Sequence, residues 1–272
     1  MFPIKDNIPT DRFPFVTVAL ILINVIVYLL TIRHGGSIIS GPDAHETVKF
    51  GAIPYAITHG GAHCAEFGQQ TDLGTQAIGV FCNGQQLPDG TTAHVSDSAT
   101  VPTWETIFTA MFMHGSILHI GGNMLFLWIF GNNIEDAMGP VKFILFYILG
   151  GFAALALQVA VSPNSTAPTI GASGAIAAVL GGYILLYPRA RVLTLVFIIL
   201  FFTVIELPAV VMLGIWFLQQ ALFGAANLTN PTGGGGGVAY FAHVGGFAFG
   251  LAVIKLLATR RKDVPVARFP VY

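Results

Sequence analysis

Six long apolar runs punctuate the chain, at residues 15–32, 107–130, 141–161, 170–187, 207–226 and 238–258. Each approaches the roughly 20 apolar residues that a helix needs to cross a bilayer, so the pattern predicts six transmembrane helices. A further apolar stretch, 192–204, is short, and Glu206 and Pro208 cut it off from the fifth run. It is read as an interfacial or re-entrant piece. The first run is too long, and too poor in small residues at its end, for a cleavable signal peptide. Residues 33–106 form a polar insertion between the first two runs, rich in Gly, Thr, His and acids and without a strong period. Just before the last run, the glycines at 233–237 favour no single backbone conformation. They read either as a mobile lid or as a plain linker. The expected organisation is an all-α, six-helix membrane domain, 15–258, with a long loop at 33–106 and short tails at 1–14 and 259–272.

Composition agrees with lipid as the solvent. Hydrophobic residues make up 54% of the chain and charged residues only 9%, against roughly 25% charged in a soluble domain. The formal net charge of −1 gives no basis for a nucleic-acid partner. With six alternating spans, Lys5, Arg12, Lys142, Arg189, Arg191, Arg260, Arg261, Lys262 and Arg268 all fall on one side. The other side holds Arg33 and Lys49 together with Asp43, Glu46, Glu66, Asp72, Asp89, Asp97 and Glu105. Positive charge marks the cytoplasmic side, so both termini are expected there and loop 33–106 outside. Cys64 and Cys82 both lie in that outer loop, where an oxidising compartment favours a disulfide. A metal site built on His59, His63 and Cys64 is the rival, but no complete ligand set of known spacing is visible. The short tails, with no transit peptide, point to a multi-pass protein of a bacterial inner membrane.

Polar groups inside a membrane are costly, and each is a functional candidate by default. The second run carries His114, His119 and Asn123, the fourth Ser173 and the sixth His243. At 1.5 Å per residue, counting back from Gly131, Pro188 and Thr259 puts His119, Ser173 and His243 about 18, 22 and 24 Å from the cytoplasmic ends. In a hydrocarbon core roughly 30 Å thick, that is one common level, about 6–12 Å below the outer surface. Gly174, Ala178 and Gly182 form a small-residue stripe in the fourth run, and Ala242, Gly246 and Gly250 form another in the sixth. Such stripes let two helix backbones approach closely, as a Ser–His hydrogen bond requires. His119 and Asn123, four apart, share a helix face and can donate hydrogen bonds to an oxyanion. Singly, each residue reads as packing or as a structural polar group. Jointly they read as a nucleophile, a base and an oxyanion site. Ser173 stands in Gly-Ala-Ser-Gly-Ala rather than G-x-S-x-G, which argues against an α/β-hydrolase elbow. His45 begins His-Glu-Thr-Val-Lys, without the second histidine of a zinc protease. No intramembrane aspartate pair is present, and no metal or cofactor is expected.

The stretches "FTAMFMHGSILHIGGNMLFLWIFGNNIEDAMG", "GASGAIAAVLGGYILLYPRARVLTL" and "AHVGGFAFG" resemble, in order, the rhomboid family of intramembrane serine proteases. The resemblance implies that Ser173 is the nucleophile and His243 the general base. It implies an oxyanion site of His119, Asn123 and the Ser173 backbone N–H. Gly171 matches the serine-loop glycine, Glu135 a structural acid, and His114 a histidine supporting the first loop. The implied substrates are transmembrane proteins, cut near their outer ends within the lipid bilayer. Two departures stand out. Many members have Trp-Arg in the first loop, where this chain has Trp104 and Glu105. Many place an aromatic four residues after the serine, to pack on the histidine, where this chain has Ala177. Tyr240 is the expected substitute for orienting His243. The rival readings are a rhomboid-like protein that binds membrane partners without cutting them, a transporter or proton channel, and a purely structural membrane protein.

Overall fold

The computed structural model describes residues 2–71, 74–87, 89–95, 101–198, 201–229 and 238–260. The glycine run at 233–237, Asp72, Asp97, Arg261, Lys262 and Arg268 lie outside the described residues. In chain order the elements are β1 (Phe2–Asp6), α1 (Phe15–Thr31), α2 (Ala44–Phe50), α3 (Pro54–Thr58), β2 (Cys64–Thr71), β3 (Gly74–Cys82), α4 (Thr103–Thr109), α5 (Ile117–Phe126), α6 (Asn132–Met138), α7 (Pro140–Val161), α8 (Ser173–Leu186), β4 (Arg191–Ile198), β5 (Phe201–Pro208), α9 (Ala209–Thr229) and α10 (Tyr240–Leu257). The fold is mostly helical. Among the described residues four helices, built on α1, α7, α9 and α10, are long and apolar enough to cross a membrane, and a bent pair, Thr103–Phe112 with Ile117–Met138, makes a fifth if counted as one span.

Two sequence expectations are corrected. The second apolar run is not one helix. Chain direction changes at Met113, whose backbone is extended, and α5 then begins with the Ser116 hydroxyl accepting the His119 N–H at 3.1 Å. Serine ends one helix and starts another more readily than it continues one. Farther on, a π-helical turn at Leu127–Gly131 joins α5 to α6. The stretch 192–204 is not a re-entrant helix either. It belongs to an antiparallel hairpin, β4–β5, in register from Arg191 opposite Pro208 to Ile198 opposite Phe201. Its β-branched and aromatic residues suit a pleated surface. The amino-terminal strand β1 pairs with β4, giving a three-stranded sheet of order β1-β4-β5.

The chain folds as two compact units. The first comprises Met1–Ile23, Gly121–Ala154 and Ser173–Tyr272. Its centre is α8, in which every residue from Gly174 to Tyr183 is buried. A helix that is apolar all round is a helix with neighbours all round. Its closest neighbour is α10. A Cβ at Gly246 would overlap the Gly174 carbonyl, one at Gly250 the Ala178 carbonyl, and one at Gly181 the Phe247 carbonyl. The two small-residue stripes therefore meet backbone to backbone.

A polar hub gathers at α6. The Glu135 carboxylate accepts from the Val16 N–H at 3.0 Å and from the Thr17 N–H and hydroxyl, both at 2.8 Å. It thereby satisfies amides of the first turn of α1 that have no partner within the helix. Asp136 accepts the Asp11 N–H at 2.8 Å. Asp6, buried at the end of β1, accepts from Asn133 at 2.7 Å and from the Tyr183 hydroxyl at 2.5 Å. The Ala137 carbonyl accepts from the Thr259 and Arg260 amides. The amino-terminal segment is thus tied down and is not a free tail.

The second unit comprises Asn24–Ile120 and Leu155–Ala172. It contains the long insertion, whose described residues include α2, α3 and the β2–β3 hairpin. Asp43 caps α2 by accepting the Glu46 N–H at 2.8 Å. Cys64 and Cys82 face each other across the hairpin and form a disulfide, S–S 1.97 Å. The bridge packs with Ile53, Tyr55 and Ala56 into a small core. Cys64 therefore offers no thiolate to the metal site considered for it, and His59 is stacked on Tyr55, ring centroids 3.9 Å apart.

Two outcomes follow. Gly246→Ala must push α10 off α8, at a cost of about 1–3 kcal/mol. Gly214→Ala in α9, where a Cβ would meet nothing, should be neutral or stabilising by up to about 1 kcal/mol. Melting in detergent checks both, and equal effects would refute the close-approach account. The second outcome concerns pH. Burial pushes the Asp6 carboxyl from its ordinary 3.8 up to about 6, against the hydrogen bond from Tyr183 that pulls it down. A carboxyl raised on folding stabilises most when protonated, so its contribution is complete below about 3.8 and is lost as pH rises through about 6. Wild type should therefore gain melting temperature relative to Asp6→Asn as pH falls from neutrality toward 4; parallel curves would contradict this.

Candidate active site

Helix α8 has 14 residues, about 21 Å at 1.5 Å per residue, well short of a hydrocarbon core roughly 30 Å thick. Ser173 is its first residue. A helix of this length whose far end lies near one membrane surface places its first residue inside the bilayer. The first turn of a helix also leaves backbone N–H groups without intrahelical partners and carries the positive end of the helix dipole. A serine there is half-buried and beside groups that favour negative charge.

His243 comes from the first turn of α10, one turn before Gly246. Its Nε2 lies 2.7 Å from Ser173 Oγ. Its Nδ1 lies 2.8 Å from Gln220 Oε1 on α9. An amide oxygen only accepts, so this contact fits the tautomer with its proton on Nδ1 and its Nε2 lone pair toward the serine hydroxyl. The Trp216 ring sits 5.7 Å from the imidazole, tilted by 38°, and Phe247 stacks on Phe217 at 4.4 Å behind it. All these groups belong to the first unit. Tyr240, expected to orient the histidine, instead meets Phe223 edge-on at 5.7 Å.

Asn123, on α5 in the same unit, is buried, and its amide Nδ2 has no hydrogen-bond partner. An unpaired buried donor is expensive and is what an incoming oxyanion would satisfy. His119 belongs to the second unit. Its Nδ1 accepts the Gly115 N–H at 3.3 Å, which leaves Nε2 as the protonated nitrogen and hence a donor. His114, also in the second unit, is fully buried, with its Nδ1 at 3.3 Å from the Phe112 carbonyl and its Nε2 at 3.5 Å from the Ala172 N–H. It therefore supports the loop that leads into the serine. Gly171 in that loop has φ +119° and donates its N–H to the Ala110 carbonyl at 2.8 Å. A Cβ at Gly174 would stand 2.6 Å from the Ala154 Cβ, so a larger residue there would have to displace Ala154.

Sequence reasoning missed Gln220 and Trp216. The available signal was the polar side chain itself: Gln220 stands in an apolar helix with an aromatic four residues earlier on the same face. Histidine, serine and asparagine were weighed as intramembrane polar groups, but glutamine was not. Among the described residues no group of three or more His, Cys, Asp or Glu is arranged to hold a metal.

Residues 102–260 match the Rhomboid domain family. The chain is 31% identical over 152 residues to "Rhomboid protein 1, mitochondrial" of Saccharomyces cerevisiae, covering 54% of this chain and 40% of that protein. It is 30% identical over 159 residues to "RHOMBOID-like protein 12, mitochondrial" of Arabidopsis thaliana, covering 53% and 43%. A shorter match, 35% identical over 78 residues, is to "Rhomboid protease GluP" of Bacillus subtilis, covering 29% and 15%. The chain thus spans about two-fifths of the length of the yeast and plant relatives. Their mitochondrial names do not fit the bacterial inner membrane expected from the tails.

The serine loop yields one further expected outcome. Gly171→Ala forces a side chain into a backbone region that only glycine adopts readily, at a cost of order 1–3 kcal/mol. Melting of the purified protein should fall accordingly, and an unchanged melting temperature would mean that the loop is not held at this φ.

Proposed function

The chain belongs to the rhomboid family, and from that premise we propose that it is an intramembrane serine endopeptidase acting through a Ser173–His243 dyad. The observation that carries the proposal is the 2.7 Å approach of Ser173 Oγ to His243 Nε2, with Nδ1 occupied by another acceptor. A lone serine in a small-residue stripe has no need of that geometry. Ser173 Oγ attacks the scissile carbonyl carbon while its proton passes to His243 Nε2. The carbonyl oxygen becomes an oxyanion, which the Asn123 amide and the Ser173 N–H are suited to stabilise, each such donor contributing about 2.7–4 kcal/mol in a water-poor site. The match to the family pattern adds His119, which has a donor nitrogen, as a further candidate. The C–N bond then breaks, and the proton on His243 goes to the leaving amine. Water attacks the acyl-serine, gives its proton to His243, and releases the new carboxyl end as the proton returns to Ser173.

The substrates are transmembrane segments. Inside lipid their carbonyls are engaged in helical hydrogen bonds, so cleavage favours segments whose small or helix-breaking residues expose the bond near the outer face. The protein is a multi-pass membrane protein, and both chain ends are assigned to the side of the positively charged loops. A non-cutting, partner-binding role makes no use of the dyad hydrogen bond. A transport role makes no use of the serine.

Labelling with a fluorophosphonate probe tests the reading without knowledge of the substrate. Wild type in detergent should label, and Ser173→Ala and His243→Ala should fall to background while melting like wild type. Labelling that persists in Ser173→Ala, or that is absent from folded wild type beside a labelled rhomboid control, would remove the nucleophile and with it the protease.

A further inference from the structure

A Ser–His pair works only if the imidazole is held in the tautomer whose Nε2 is unprotonated, and something must hold it. In this chain the expected aromatic on α8 is missing, and the packing explains why. Ala177 is fully buried, and its Cβ lies 3.3 Å from where a Cβ on Gly246 would stand. The backbones of α8 and α10 are too close there for a ring. The groups against His243 come from α9 instead: Trp216 beside the imidazole ring and, one turn on, Gln220 at its Nδ1. Gln220 is buried in a helix that is otherwise mostly apolar, while its neighbour Gln219 is exposed.

We propose that Gln220 is the positioning residue of the dyad. Its amide oxygen accepts the His243 Nδ1 proton, fixing both ring orientation and tautomer, so that Nε2 is the base toward Ser173. The proposal rests on the reading of Ser173 and His243 as nucleophile and base. The opposite amide orientation would place an NH2 donor on Nδ1, put the imidazole proton on Nε2, and leave the dyad without a base. A neutral amide also suits the setting, since a carboxylate at this depth would be a buried charge whenever the histidine is neutral. Unlike a carboxylate, the amide stabilises the transient imidazolium only through its dipole, so the histidine gives its proton back readily to the leaving amine.

The test uses the full-length protein with a transmembrane reporter substrate and measures kcat, KM and their pH dependence. Gln220→Met keeps the volume and removes the acceptor, and kcat is expected to fall about 10- to 100-fold with KM little changed. Gln220→Glu places a negative charge on Nδ1 and raises the histidine's proton affinity, so the acidic limb of kcat/KM should move up by about one pH unit or more. Gln219→Met should match wild type. A wild-type kcat in Gln220→Met, or an unmoved limb in Gln220→Glu, overturns the proposal. Should either variant fail to fold, 15N spectra of histidine-labelled wild type decide it: the signal lost in His243→Ala must be the Nδ1–H tautomer, and an Nε2–H tautomer overturns the proposal. Ser173→Ala, run alongside, separates the two levels. Cleavage surviving in Ser173→Ala sinks the dyad itself, whereas cleavage lost there but intact in Gln220→Met sinks only the positioning role.

Discussion

The backbone contact between α8 and α10 is the constraint on which the rest of the first unit depends. Lipid tails are as apolar as leucine, so helices in a membrane are not driven together by the hydrophobic effect; close packing and a few polar contacts must do it. Here Gly246 against the Gly174 carbonyl and Gly250 against the Ala178 carbonyl set the helix separation to the minimum that backbones allow. Ser173 is the residue before Gly174, and His243 lies three before Gly246. The contact that locks the helices therefore also sets the reach between the two side chains, and 2.7 Å is a consequence of glycine more than of serine or histidine.

The same solvent explains where the polar residues went. Each buried carboxylate of the first unit answers donors from a different stretch of chain: Glu135 the first turn of α1, Asp136 the residues before it, Asp6 a tyrosine of α8 and an asparagine of α6. The result is a polar knot at α6 from which the apolar helices run. Buried polar groups cost least when fully partnered, and here the partnering also fixes the register of the amino-terminal segment against the helices. Asn123 carries a buried amide donor without a hydrogen-bond partner. An unpaired buried donor is costly, and in the proposed reaction an oxyanion would satisfy it.

Much of this was legible in the chain. Ser173, His243, the two stripes and the apolar runs all follow from the cost of polar groups in lipid and from the period of small residues. The disulfide pair followed from the charge pattern of its loop. What was not legible depends on competition between local preferences. Residues 192–208 are as apolar as a span, and only their β-branched and aromatic content and the pairing with β1 turn them into a sheet. The break at Met113–Ser116 hangs on one serine cap that a hydropathy window averages away. Gln220 was passed over because its meaning is relational: a glutamine in a helix is unremarkable until a histidine on another helix points Nδ1 at it.

That relation carries a wider physical point about catalysis within a membrane. A site in a low-dielectric medium keeps charge to a minimum in its resting state, because an isolated ion is penalised far more there than in water. Serine, asparagine amide and glutamine amide carry no charge, and the proposed dyad needs its histidine in the uncharged form. In the proposed reaction charge arises only as an imidazolium and an oxyanion formed together and close to each other, so that each offsets much of the other's desolvation. The first turn of α8 adds fixed N–H dipoles at the end where the negative charge appears. A carboxylate in place of Gln220 would strengthen the base but would leave a net negative charge in the membrane throughout the resting state. On the proposed reading, neutrality at rest with charge separation only at the transition state would let one site be both stable in lipid and reactive toward a peptide bond.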